Sequence, residues 1–278
     1  GRRPRRFMCC FIFPPRNPSD CHMSTETEIL GFGLWDFALI GGVSLQATTM
    51  AYMFRPKWKA LLYCLPIPFT LASLSVGAPV GPTHLVGLLG LLGFFLVVRS
   101  LYEHLKCPIV PSILVGALSY VGAACALRPI MPKGDTMFWV VAAATGAMGL
   151  TLFFVLPIRH ERGHKSPLPV WAKLPAVASV IVGLVLLKQY MAGFMAMFPM
   201  MGVITAYEGR HSLWTITRQV PIILLTFVPM MAFCRLTQDQ IGLGGALAGG
   251  WIIHLSVLGL ATKWLWNRTK AVERGAAS

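Results

Sequence analysis

The polar and proline residues of two apolar stretches are the groups in this chain whose types and spacing suit chemistry inside a membrane. One stretch runs from Lys188 and Gln189 through Pro199 to Glu208, Gly209, Arg210 and His211. The other runs from Lys59 through Pro66, Pro68 and Thr70 to Gly77, with His84 beyond it. A proline inside a helix removes a backbone donor, frees the carbonyl four residues back and bends the axis. In lipid, that carbonyl needs a partner from another helix or a water-lined cavity. Short, proline-interrupted segments in matching positions of two halves point to a transporter-like site near the bilayer midplane. Pro66, Pro68 and Pro199, with Thr70, Thr205 and Tyr207 beside them, are therefore candidate pathway residues.

The ionisable candidates are few. Glu208, Arg210 and His211 form the tightest polar cluster, either as a basic turn or as a proton or cation acceptor tuned by its neighbours. Asp36 follows Trp35 near the start of an apolar segment, as an interfacial residue or as a cation or proton site. Lys188 and Gln189 sit between two short segments, with Lys188 reaching the surface or binding an anion. His254 is deep in the last segment and reads as a hydrogen-bonded packing group, because no second His, Asp or Glu stands one turn away. No nucleophile elbow, zinc-protease motif, acidic pair or phosphate-binding glycine loop occurs, so neither an enzyme nor a cofactor or metal site is expected.

The elements that must position these groups are membrane helices. Of 278 residues, 55% are hydrophobic and 12% charged, with a mean hydropathy of +0.66. Soluble domains carry roughly 25% charged residues. An all-α polytopic transmembrane bundle is expected. A bilayer core takes about 20 apolar residues per helix. Nine segments qualify: 33–54, 60–77, 83–102, 109–127, 137–157, 174–188, 191–207, 219–235 and 241–262.

Charge fixes the expected orientation. The formal net charge is +14. Nine spans with an outer N-terminus put Arg55, Lys57, Lys59, Arg99, Lys106, Arg159, Arg162, Lys165, Lys173, Arg210, Arg218, Lys263, Arg268, Lys270 and Arg274 inside. Arg128, Lys133, Lys188 and Arg235 fall outside, so fifteen basic residues face four. This is the positive-inside pattern. It accounts for the charge without nucleic acid, which is not an expected partner. The expected partners are the lipid bilayer and a second copy, packed through the glycine-rich faces at Gly87, Gly90 and Gly93 and at Gly245 and Gly249.

Four regions follow. Residues 1–22 read as a non-native leader or upstream read-through, 23–131 as a first half of four spans, 132–173 as a connecting span and cytoplasmic loop, and 174–278 as a second half of four spans with a basic tail. A single connecting span would set two four-helix repeats in inverted orientation. The scattered cysteines, none in a Cys-x-x-Cys pair, read as packing residues.

The stretch from Val182 to Trp266 resembles the GlpM-like family of small four-span bacterial inner-membrane proteins. The likeness rests on Lys188-Gln-Tyr-Met-Ala-Gly, on Phe198-Pro199, on Gly209, on the Arg218–Pro229 span and on Gly244-Gly-Ala-Leu-Ala-Gly-Gly-Trp251. It implies a bacterial inner-membrane location and little chemistry. The functional expectation is a small transporter or permease-like protein of unassigned substrate. The alternatives are a non-transporting scaffold or accessory subunit and, third, a lipid-modifying membrane enzyme.

Overall fold

The computed structural model describes residues 33–131, 134–157, 169–186 and 193–275. The leader 1–22, the loop 158–168 and the candidates Lys188 and Gln189 lie outside the described residues. Every regular element described is helical: α1 (Leu34–Tyr52), α2 (Pro56–Tyr63), α3 (Ile67–Val76), α4 (Pro82–Arg99), α5 (Ile109–Leu127), α6 (Asp135–Val155), α7 (Val170–Val185), α8 (Gly193–Ala196), α9 (Met200–Glu208), α10 (Leu213–Thr217) and α11 (Val220–Gly275). A π-turn over Ser100–His104 extends α4, and a 3₁₀ turn over Arg210–Ser212 joins α9 to α10.

Five helical stretches are long and apolar enough to cross a membrane: Lys57–Val76, Pro82–His104, Ile109–Leu127, Asp135–Val155 and Val220–Thr269. Lys173–Val185 and Phe194–Glu208 are apolar but shorter. Helix α1 has 19 residues yet is not among the five, because Asp36, Gln46, Thr48 and Thr49 dilute its hydropathy. Leu114, Leu118, Ile130, Trp171, Ile252 and Leu260 stay exposed on the perimeter, as lipid-facing side chains do.

Local sequence sets the helix ends. The Gly33 amide donates to Asp36 Oδ2 at 2.9 Å, and the Gly81 amide donates to His84 Nδ1 at 3.2 Å, so α1 and α4 are capped alike from their first turns. Proline opens α2 and α4, where its missing donor costs nothing. Gly77 closes α3 at φ 65°, in the left-handed region where a Cβ is strained.

Helix α11 corresponds to the two last apolar segments of the sequence. Its backbone turns sharply at Gly242 (φ 74°, ψ 164°). Beyond the turn, Gly249 lies against Phe233, and the Cys234 thiol lies 3.4 Å from the Ala246 carbonyl. The two arms are therefore antiparallel, which a single straight helix of that length cannot be.

Both sequence halves share one core. Helix α1 packs on α3 and α7, α3 and α4 on α8, and α6 on α11. Phe69, Phe94, Phe95, Phe138, Leu85, Leu88, Met195 and Met200 are fully enclosed. Small residues make the close approaches. Gly87 and Gly90 leave room for the Tyr120 ring and Met197, and a Cβ on Gly90 would come within 2.7 Å of that ring. Gly249 seats Phe233 in the same way, whereas Gly93 has nothing within 4 Å.

Basic residues gather at one end of the bundle. Trp58 of α2 meets Trp266 of α11, α10 packs on α2 and α4, and Arg99 lies 4.0 Å over the Trp214 ring. Trp214 Nε1 and Arg218 Nε cap the open end of α6 through the Pro157 and Leu156 carbonyls, at 3.1 and 3.2 Å. At the opposite end Arg235 pairs with Asp135, and Gln238 clasps both the amide and the carbonyl of Val80, at 2.8 and 3.2 Å.

Candidate functional site

Pro66 and Pro68 sit where the α2–α3 segment is interrupted. Neither can donate, so Leu62 and Cys64 lose the helical partners that would reach back to their carbonyls. Side chains from other helices take their place. Gln46 Nε2 of α1 donates to Leu62 O at 2.8 Å, and His254 Nε2 of α11 lies 2.9 Å from Cys64 O. A carbonyl only accepts, so His254 carries a proton on Nε2 and acts there as a donor. Thr70 Oγ1 donates to Pro66 O at 2.8 Å and accepts from Trp251 Nε1 at 2.8 Å. This is the satisfaction that lipid demands of an interrupted helix.

Pro199 marks the second interruption, between α8 and α9. It stands at the N-cap of α9, where the Val203 amide donates back to Pro199 O at 2.7 Å. Tyr120 OH of α5 donates to the Phe194 carbonyl at 2.9 Å. Gly87 and Gly90 make that bond possible by letting the Tyr120 ring lie against α4.

The two interruptions face one another. Pro68, Phe69 and Tyr63 on one side, and Ala196, Met197 and Pro199 on the other, line a common cavity of ≈ 50 Å³. That is room for a water or two. The lining is apolar apart from the Tyr63 hydroxyl, which is buried and makes no hydrogen bond. Met50, Met201 and Thr205 are buried along α1 and α9, and Thr205 Oγ1 contacts Met50 Sδ at 3.4 Å.

Helix α9 carries the chain from Pro199 to Glu208, roughly 13 Å at 1.5 Å per residue. There Glu208 Oε1 meets Lys173 Nζ of α7 at 2.8 Å, with both side chains only 5% exposed. Lys59 of α2 is also buried and within electrostatic reach of both. Lys173 further stands 5.6 Å from the Tyr52 ring centre. The polar cluster that the sequence suggests around Glu208 is thus rearranged. Arg210 turns back to Tyr207, donating to its carbonyl at 3.0 Å, and His211 is exposed. Glu208 takes its partner from α7 instead.

Asp36 is buried at the opposite end of the bundle. It accepts from the Gly33 amide and from Ser75 Oγ, tying the start of α1 to the end of α3. Asp36 and Glu208 therefore belong to different ends, and neither lines the cavity.

Scans against protein-family models, curated proteins and solved structures return no match to this chain.

Several residues that matter here have weak sequence signals. Lys173 opens an apolar helix from inside a basic stretch, where positive-inside charge masks it. Gln46 is a polar residue in the middle of an apolar segment, which is the kind of signal that marks an interhelical hydrogen bond. Tyr63, Tyr120 and Trp251 each offer a polar tip on an apolar body, and nothing in their spacing distinguishes them from packing residues.

Proposed function

We propose that this chain is a transporter or permease-like protein whose substrate pathway runs between α2–α3 and α8–α9. The observation that carries the reading is the shared cavity: two proline-interrupted segments from different parts of the chain line it together. In this arrangement the pathway is closed. The buried Lys173–Glu208 pair stands at one end of it and the Asp36–Ser75 contact at the other.

The finer features belong to the same proposal. Nine spans, two inverted four-helix repeats, an outer N-terminus and an inner C-terminus accommodate the antiparallel arms of α11 and the gathering of basic residues at one end. The GlpM-like resemblance adds a bacterial inner membrane as the location.

One observation favours a non-transporting scaffold. The carbonyls freed by Pro66 and Pro68, those of Leu62 and Cys64, both have protein partners, as a purely structural kink would require. Solid-supported-membrane electrophysiology and tracer uptake in proteoliposomes, over a panel of ions and small solutes, separate the two. Transport predicts a saturable signal that Ala196→Trp, which fills the cavity, abolishes in a folded protein. Identical traces for both proteins across the panel, with a stoichiometric partner retained in mild detergent, would discard the pathway.

A further inference from the structure

A second, larger cavity of ≈ 410 Å³ opens at the basic end, on the perimeter of the bundle, between the start of α2 and the last turns of α11. It is within the roughly 300–1,000 Å³ of ordinary ligand pockets. Its walls are Trp58 and Leu61 from α2 and Gly259, Thr262, Lys263 and Trp266 from α11.

Helical register orders these residues by depth. Gly259, Lys263 and Asn267 follow one another at four-residue steps, as do Thr262 and Trp266, so each series forms one stripe along α11. Leu61 and Gly259 are the deeper, apolar end. Lys263 and Asn267, both exposed, and the Trp58–Trp266 pair, with ring centres 5.5 Å apart, are the outer end. Paired tryptophans where two apolar helices begin and end mark the headgroup level of a bilayer.

Thr262 forms part of the wall between the two ends. It is 6% exposed, lines the cavity, and its hydroxyl has no hydrogen-bond partner. Other hydroxyls of the same helix turn back to the carbonyl four residues earlier: Thr237 to Phe233, Ser256 to Ile252 and Thr269 to Leu265, each at 2.8 Å. The Thr262 hydroxyl does not.

We propose that this groove is a binding site for an anionic phospholipid. An acyl chain lies along Leu61 and Gly259, and Lys263 and Asn267 hold the phosphate. The gradient from apolar depth to cationic rim is that of a lipid at the interface. Basic pockets between membrane helices select anionic headgroups, and Arg55, Lys57 and Arg268 lie within a few residues of the same rim. A free phosphate has no use for the apolar half of the groove.

The test uses the full chain, delipidated in mild non-ionic detergent, with phosphatidylglycerol, phosphatidylcholine or inorganic phosphate added. The readouts are melting temperature and lipid adducts in native mass spectra. Phosphatidylglycerol is expected to raise the melting temperature and leave one retained lipid, with phosphatidylcholine about tenfold weaker and phosphate inert. Lys263→Gln is expected to weaken phosphatidylglycerol about fivefold, the effect of one basic residue at a charged lipid surface. Gly259→Phe fills the groove without meeting a protein atom within 4 Å of its Cβ, and is expected to remove the adduct from a folded protein. Equal response to both lipids, a shift reproduced by phosphate alone, or an adduct retained in Gly259→Phe would overturn the assignment. Should Gly259→Phe not fold, the exposed Lys263→Gln decides it alone.

Discussion

Replacing Glu208 by Gln removes the charge opposite Lys173 while keeping shape and hydrogen-bonding capacity. The two side chains are 2.8 Å apart and each 5% exposed, so water cannot replace the lost partner. An exposed pair would be worth 0–1 kcal/mol. Breaking a buried pair by deleting one partner costs about 3–5 kcal/mol, because the surviving charge stays buried without compensation. Glu208→Gln is therefore expected to lose about 3–5 kcal/mol. Reversible denaturation in mixed micelles, followed by tryptophan fluorescence, measures it. The double variant Lys173→Met/Glu208→Leu removes both charges and keeps approximate volume. It is expected to recover most of the loss, since apolar replacement of a buried pair is neutral or stabilising. A Glu208→Gln protein within 1 kcal/mol of the parent would refute the reasoning, and so would a double variant as unstable as the single one.

Three further outcomes follow from the same geometry. His254→Ala strips the donor from the Cys64 carbonyl and is expected to cost at least about 1–3 kcal/mol, the penalty for a buried unsatisfied group, by the same denaturation. Gly90→Ala drives a methyl into the Tyr120 ring, whose hydroxyl is fixed to Phe194 O, and is expected to cost about 1–3 kcal/mol; Gly93→Ala, with nothing within 4 Å, is expected to be neutral when the melting temperatures are compared. Asp135→Asn breaks the contact with Arg235, but the Asp135 side chain is 70% exposed, so its effect on stability is expected to stay below about 1 kcal/mol and to shrink further in high salt.

Much of the fold was legible because lipid imposes strict rules on sequence. Apolar length marks the helices, and proline marks their interruptions at 64–66 and 197–199, whereas the reversal inside α11 falls at Gly242, within the expected span 241–262 and not in the gap before it. That Pro68 and Pro199 would line one cavity was only a positional inference, and the packing of α3 and α4 on α8 is what brings them together. Charge partners were less legible. Adjacency in sequence groups Glu208 with Arg210 and His211. In the folded chain α9 ends with its carboxylate turned into the bundle, and the 3₁₀ turn carries the next two residues away from it. Lys173 comes from a helix 35 residues earlier, and no local pattern announces a contact made only by helix packing. The glycine faces illustrate the same limit. Spacing shows that Gly87, Gly90 and Gly249 permit close approach, but only the structure shows that Tyr120, Met197 and Phe233 of the same chain occupy them.

The most direct test of a pathway between the two interrupted helices is cysteine accessibility at Ala196, a cavity residue only 4% exposed in the closed arrangement. Ala196→Cys is placed in a background with the seven native cysteines replaced. A membrane-impermeant thiol reagent is then applied to right-side-out and to inverted vesicles. Modification from both sides over minutes is the expected result, because a transport pathway must open to each face in turn. Absence of modification from either side, in a protein that denaturant renders fully reactive, would contradict it.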